Sequence, residues 1–167
     1  MKPRFDAEAL YLRLLDQLRP QIQPATALIG IYTGGVWLAE RLHRDLNLTG
    51  QPGSLDVSFY RDDVSAKGLH GKMRKSDIPF DIEGADLIIV DDVLFTGRTT
   101  RAALNVLFDY GRPRRIELAV LVDRGGRELP VCARYCPLTL ETPLPASASL
   151  QLTRDENGAF DLRLDDV

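Results

Sequence analysis

An α/β fold, a mainly parallel sheet flanked by helices, is what the sequence predicts, and three observations predict it. The runs "ATALIGIY", "DLIIV" and "IELAVLV" are apolar without interruption, as strands are when both sheet faces are covered. Segments of helical apolar period alternate with these runs. Polar or glycine-bearing turns, "TGG", "RDD", "DDVLFTGRTT" and "VDRGG", each follow a predicted strand, so they converge on the carboxyl edge of the sheet, where α/β folds bind ligands.

The elements follow in order. Leucine or isoleucine at positions 10, 14, 15, 18 and 22 makes residues 6–22 an amphipathic helix, with Asp6 placed to cap its start and Pro20 to end or kink it. Residues 25–32 form a buried strand, broken by "TGG" ahead of the helical "VWLAERLHRDL". "SLDVSFY", residues 54–60, alternates with period two as a strand, and the polar residues 61–76 after it read as a long loop. "DLIIV" is the next buried strand. The helix "TRAALNVLFDY" should stop at Gly111, with Pro113 just beyond. Residues 116–122 form another buried strand. Two alternating runs around "DENG" then predict a hairpin, a small C-terminal β flap added to the main sheet.

With 167 residues and 44% hydrophobic content, the chain suits a single domain over residues 1–167 rather than two. No apolar run approaches the roughly 18 to 20 residues of a membrane span, and "MKPRFDAEAL" lacks the apolar core of a signal peptide. A cytoplasmic protein is expected, with no membrane partner. The formal net charge of −3 means that contact with nucleic acid would need a local basic face. Cys132 and Cys136, read on one strand, would sit roughly 13 Å apart, beyond disulfide reach, and nothing nearby completes a metal-ligand set. They are expected to be packing residues.

The stretch "IIVDDVLFTGRTT" holds the main chemical signal. Thr96, Gly97, Arg98, Thr99 and Thr100 lie where a helix begins, so free backbone N–H groups and the positive dipole end make an anion site. Gly97 allows close backbone approach, the threonines add hydroxyl donors and Arg98 adds charge. Asp91 and Asp92 would point oppositely in a regular strand, but a bend at the strand end would turn both to the ligand. Two adjacent carboxylates call for a cation or hydroxyl donors, which a sugar diol and Mg2+ supply. A Walker-type site is excluded because neither glycine turn carries its lysine, and a haloacid-type phosphatase would space its aspartates two apart.

The apolar strand with "VDDVLFTGRTT" closely resembles the phosphoribosyl diphosphate (PRPP) motif of the type I phosphoribosyltransferases. "YRDD" (60–63), "DIPFDI", "ALNVLFDYGRPRRIELAVLVDRGGRELP" and the overall length resemble the PyrR family, bifunctional pyrimidine operon regulators and uracil phosphoribosyltransferases. The likeness is strong over residues 30–130 and weak at both ends. Purine phosphoribosyltransferases share the PRPP motif but lack "VDRGGRELP".

The resemblance implies a type I phosphoribosyltransferase-like fold and the reaction of uracil with PRPP to give UMP and diphosphate. Asp91 and Asp92 would hold the ribose hydroxyls, with Arg61, Asp62 and Asp63 as further catalytic candidates. The PRPP motif continues through Val93, Leu94 and Phe95 to the 5-phosphate cradle at residues 96–100, while Thr33, Gly34 and Gly35 form the diphosphate loop. Asp123, Arg124 and Gly125 would border the base. Mg2+ would be held mainly through PRPP, with Asp91 and Asp92 as candidate ligands. The segment after "YRDD" would be a mobile loop whose Lys67, His70, Lys72, Arg74 and Lys75 neutralise diphosphate. Gly34 departs from the basic residue that many members of the family carry in the diphosphate loop.

The resemblance also implies a regulator that senses UMP and PRPP, binds leader RNA of a pyrimidine operon, and assembles as a homo-oligomer, a dimer or higher. Candidate RNA contacts are Lys2, Arg4, Arg13 and Arg19 near the first helix, and Arg112, Arg114 and Arg115 in "GRPRR". The alternative is a PRPP- or nucleotide-binding RNA regulator with little or no transferase activity.

Overall fold

The structure, a computed structural model, describes residues 4–58 and 75–166. Arg61, Asp62 and Asp63 lie outside the described residues, as do Lys2, Lys67, His70, Lys72 and Arg74.

Helix α1 spans Ala7–Leu18 and is capped as expected, the Asp6 carboxylate accepting the Ala9 N–H at 3.0 Å. Strand β1 (Ala27–Ile31), helix α2 (Gly34–Asp45), strand β2 (Gly53–Leu55), strand β3 (Asp86–Leu94), helix α3 (Arg98–Tyr110) and strand β4 (Arg115–Asp123) follow. A two-residue strand β5 (Leu138–Thr139) completes a parallel five-stranded sheet of order β2-β1-β3-β4-β5. The C-terminal hairpin joins β6 (Ala148–Arg154) to β7 (Phe160–Asp166).

Both sheet faces are covered, which is why the strands read as unbroken apolar runs. On one face Leu28, Ile88, Val90 and Leu121 pack against leucines of α1 and α2 and against Leu150, Leu152 and Phe160 of the hairpin. On the other, Ile29, Leu87, Ile89 and Val120 pack against Ala102, Ala103, Val106 and Leu107 of α3. Leu107 is fully buried, so its truncation to alanine falls in the range of about 2–5 kcal/mol.

Four details differ from the sequence expectation. Strand β2 is three residues long, because Asp56 turns the chain by accepting the Ser58 N–H and hydroxyl on one oxygen. Strand β3 continues through both acids to Leu94 instead of ending at Val90. Around the cysteines, "PVCARYC" forms no strand beyond a single bridge from Tyr135 to Ala119, and both thiols are free. The flap pairs with itself as a separate two-stranded sheet and joins the main body through packing. Among the described residues, no helix is long and apolar enough to cross a membrane.

Glu8 fastens the flap. Its carboxylate accepts both Arg41 terminal nitrogens at 2.9 and 2.8 Å and the Phe160 N–H at 2.7 Å. The Arg41 hydrogen bonds, aided by that backbone donor, hold the Glu8 carboxyl below its ordinary 4.5. A depressed folded-state value stabilises fully above the unfolded value, and the contribution fades as pH falls through the folded one. Glu8→Gln should therefore lower the urea midpoint at neutral pH, and the gap to wild type should narrow as pH falls below 4.5. A gap independent of pH would contradict this role.

Candidate functional site

The parallel register brings the carboxyl ends of β1, β3 and β4 to one edge, with Gly30 beside Val90, Asp91 beside Val120 and Leu94 beside Asp123. Three of the four polar turns read from the sequence meet there, at residues 33–35, 91–100 and 123–127. The fourth, "RDD", lies outside the described residues.

The two acids do not share one orientation. The Asp91 Oδ1 accepts the Asp92 N–H at 2.9 Å, and the Asp92 Oδ1 accepts the Val93 N–H at 2.9 Å. The other Asp92 oxygen reaches the hairpin and accepts the Leu152 N–H at 3.0 Å. Because β3 stays extended here, Asp92 faces α2 and the flap, on the side of Ile88 and Val90. Each Asp92 oxygen, accepting one N–H, keeps lone-pair capacity for a further donor.

After Val93, Leu94 and Phe95 the chain turns at Gly97, whose φ of 91° is left-handed, and α3 begins at Arg98. Gly97 at the N-cap has no side chain to cap this helix, so in the first turn the N–H groups of Thr99 and Thr100 are the ones that face an anion. The Thr96 hydroxyl accepts the Arg98 N–H at 3.2 Å, and Thr100 is buried. Arg98 pairs with Glu128 at 2.7 Å. Donors for an anion are therefore the backbone and the hydroxyls of Thr96 and Thr99 more than the Arg98 charge.

The turn "TGG" is shaped by packing. A Cβ on Gly35 would lie 2.3 Å from the Val90 carbonyl oxygen, and one on Gly34 would lie 2.7 Å from Asp92 Oδ2. Glycine at both positions lets the first turn of α2 sit directly on β3. Thr33 occupies the N-cap without a side-chain capping bond, so the donors of α2 face the same edge.

The third turn carries residues that the sequence reading did not single out or used differently. Arg124, expected beside a base, is buried at 4% exposure and donates to the Pro145 and Ala148 carbonyls at 2.7 Å each. Its guanidinium stacks 4.0 Å from the centre of the Phe95 ring. Burial lowers its pKa, and its Nε has no hydrogen-bond partner among the described residues. Arg127 donates to the Val131 carbonyl at 2.7 Å, to the Phe95 carbonyl, and to Asp123 at 2.5 Å. The other Asp123 oxygen accepts the Gly125 N–H at 3.0 Å. The Thr96 carbonyl accepts the N–H groups of Glu128 and Leu129 at 2.9 and 3.0 Å, so this turn and the anion turn form one unit. The signal for Arg127 was an arginine four residues after an acid in "DRGGR", a spacing with no fixed meaning outside a helix.

The "GRPRR" arginines lie at the opposite edge of the sheet, around the start of β4. Arg114 pairs with Asp86, and Arg115 with Glu117 at 3.3 Å, which Arg134 also approaches at 3.4 Å. All three are exposed, but the acids offset part of their charge. Arg4, Arg13 and Arg19 are exposed along the N-terminal segment.

Among the described residues, no three histidine, cysteine or acidic side chains cluster tightly enough to cage a metal ion. The edge offers the hard carboxylate oxygens of Asp91 and Asp92, which suit Mg2+ that arrives with phosphate oxygens and water filling most of its shell.

The phosphoribosyl transferase domain family matches residues 9–140. The chain is 46% identical over 160 residues to the bifunctional protein PyrR of Ralstonia nicotianae, covering 93% of this chain and 90% of that protein. It is 52% identical over 135 residues to the bifunctional protein PyrR of Pseudomonas savastanoi pv. phaseolicola, covering 81% and 78%. Among solved structures, a hypoxanthine-guanine phosphoribosyltransferase of Bacillus anthracis superposes with a TM-score of 0.66 at 18% identity, over 84% of this chain and 85% of that one. A purine phosphoribosyltransferase of Pyrococcus horikoshii gives 0.61 at 24% identity, over 84% and 86%. At such identities these structures speak for the fold alone.

The anion turn yields a stability prediction. A Cβ at Gly97 would meet Val131 at 3.3 Å, and the left-handed backbone resists a β-branched residue. Gly97→Val should cost about 2 kcal/mol, or roughly 4–8 °C in melting temperature for a chain of this size. Calorimetry showing no change would mean that residues 129–131 yield freely.

Proposed function

We propose that this chain, which belongs to the phosphoribosyl transferase family and within it to the PyrR proteins, joins uracil to the ribosyl phosphate of PRPP and also regulates a pyrimidine operon through leader RNA. UMP and diphosphate are the products, and the reaction takes place in the cytoplasm. The observation that carries this reading is the convergence of the Asp91–Asp92 pair, the uncapped helix start at residues 97–100 and the glycine turn at 33–35 on one sheet edge.

In this reading the 5-phosphate sits on the first-turn N–H groups of α3, with Thr96 and Thr99 adding hydroxyl donors. Asp91 and Asp92 accept the ribose hydroxyls, and the start of α2 with Thr33, Gly34 and Gly35 receives the diphosphate. Residues 123–125 would border the base through their backbone and Asp123, a reading supported by the burial of the Arg124 side chain. Bound Mg2+ would neutralise charge on the leaving diphosphate. The bond from ribose C1 to diphosphate breaks as uracil N1 forms its own bond there and loses its proton. Carboxylates at the sugar favour the positive character that C1 gains in between.

A second reading, a PRPP- or nucleotide-binding regulator with little transferase activity, is favoured by Gly34. The diphosphate turn has no side-chain cation, and the carboxylate of Asp92 occupies the space beside Gly34.

Two tests separate the parts of this proposal. Asp91→Asn should lower kcat/KM with PRPP about ten-fold to a hundred-fold, the loss of about 1.5–3 kcal/mol of charge-assisted contact. Its melting temperature should hardly move. Asp92→Asn should lower both, because it also disturbs the Leu152 N–H contact. Steady-state kinetics at wild-type values in both variants would sink the site assignment.

The regulatory part is tested by replacing Arg112, Arg114 and Arg115 together with serine. They lie at the far end of α3, which is about 20 Å long at 1.5 Å per residue, so uracil turnover should persist. If all three contact single-stranded RNA phosphates, the salt slope of log affinity should fall by about 2. Filter binding with UMP present checks this. Unchanged affinity would move the RNA surface elsewhere on the protein.

A further inference from the structure

A cleft of about 440 Å³ lies between the outer face of α2 and the turn end of the hairpin, apart from the sheet edge described above. Its volume falls within the range of small-molecule sites, about 300–1,000 Å³. Trp37, Glu40, Arg41 and Arg44 line it from α2, at helical spacings of three, four and seven residues that place them on one face. Arg154 and the turn at Asn157 and Gly158 close the opposite side.

The floor is fixed, and of the wall residues Arg44 pairs through its Nε with Asp45 at 3.2 Å while its side chain stays largely exposed. The Arg41 guanidinium is held by Glu8 through two hydrogen bonds and lies 4.0 Å from the Tyr11 ring centre and 4.9 Å from that of Phe160. It is committed to the fold. Arg154 instead lies over the half-buried Trp37 ring at 4.8 Å and has no carboxylate partner among the described residues. Glu40 is likewise exposed and engaged in no ion pair there. An aromatic face, an uncommitted cation above it and a free carboxylate on the rim fit one ligand chemistry: a flat heterocycle bearing N–H donors, joined to an anion.

We propose that this cleft binds a single unstacked nucleotide, its base on Trp37, its phosphate on Arg154 and Arg44, and an amino or imino N–H on Glu40. A base stacked on an aromatic ring outweighs an exposed cation–π contact, so the base displaces the guanidinium from the ring and Arg154 follows the phosphate. The nucleotide is either free or a unit of single-stranded RNA, since both present the same base and phosphate. The proposal stands apart from the transferase reading and from the "GRPRR" patch.

Trp37 is the only tryptophan of the chain, so its fluorescence reports on stacking in this cleft directly. The probes are AMP and a hexaadenylate with a 5′-hydroxyl end. AMP is not the product of the uracil reaction, and the hexamer lacks the terminal phosphate that the turn at residues 96–100 would take. Saturable quenching is expected, weakened at least ten-fold in Arg154→Ser, an exposed position whose change leaves the fold intact, and weakened further by salt. Uracil turnover of that variant should match wild type. Quenching by the hexamer far below the AMP concentration identifies RNA as the source, and comparable concentrations identify a free nucleotide. Absence of quenching with both probes, or quenching undiminished in Arg154→Ser, overturns the proposal. Quenching without any uracil turnover in the wild-type protein leaves the cleft standing and sinks the transferase reading.

Discussion

The buried guanidinium of Arg124 is the contact on which the architecture of the edge depends. A cation taken out of water must be compensated, and here two carbonyls at 2.7 Å and the face of Phe95 do so. The carbonyls belong to Pro145 and Ala148, where the chain enters the flap. Phe95 immediately precedes the anion turn. One side chain at the end of β4 therefore fixes both the start of the hairpin and the approach to Gly97, and neither can shift without leaving the charge poorly compensated. Asp92 adds a second tie through Leu152, so the flap is part of the scaffold of the site even though it shares no strand pairing with the main sheet.

Close approach between backbones is the complementary constraint. Gly30, Gly34 and Gly35 have no room for a Cβ, because α2 presses on β1 and β3 there. This crowding brings the start of α2 beside the two acids. Two helix starts, those of α2 and α3, thus flank the end of β3, and their unsatisfied N–H groups and dipoles concentrate positive potential on it. The same packing that closes the core assembles the candidate anion-binding edge.

Most of this was legible in the sequence, for physical reasons that differ by element. The unbroken runs in β1, β3 and β4 exposed the two-sided burial of the sheet, and Asp6 and Gly111 marked helix boundaries through local chemistry. Asp91, Asp92 and Gly97 stood out as a candidate site because acids, glycine and hydroxyls at a strand end have few purely structural uses. The roles of Arg124 and Arg127 were not legible. Their partners are backbone carbonyls at residues 95, 131, 145 and 148, and a carbonyl carries no residue-type signal. Nor was the true extent of β2, because period-two alternation continues past Leu55 while the Asp56 side chain has already turned the chain. The cleft at Trp37 depends on the hairpin folding back over α2, a tertiary contact that no local pattern encodes.

Charge at the edge is distributed unevenly, and the consequence is mechanistic. Arg98 is paired with Glu128, Arg127 with Asp123, and Arg124 is buried against carbonyls, so the arginines of these two turns are already engaged by the protein itself. Gly34 contributes no charge. A ligand carrying several phosphate groups would meet N–H donors and helix dipoles here, which position an anion well but neutralise it incompletely. In the proposed reading a cation that travels with the ligand would supply remaining countercharge. The turn at Gly97 would, in the same reading, hold the 5-phosphate through backbone donors, while the charge of the diphosphate would be met from outside these two turns. Nucleotide recognition would then persist while the transferase rate varied, a separation that suits the proposed regulatory role.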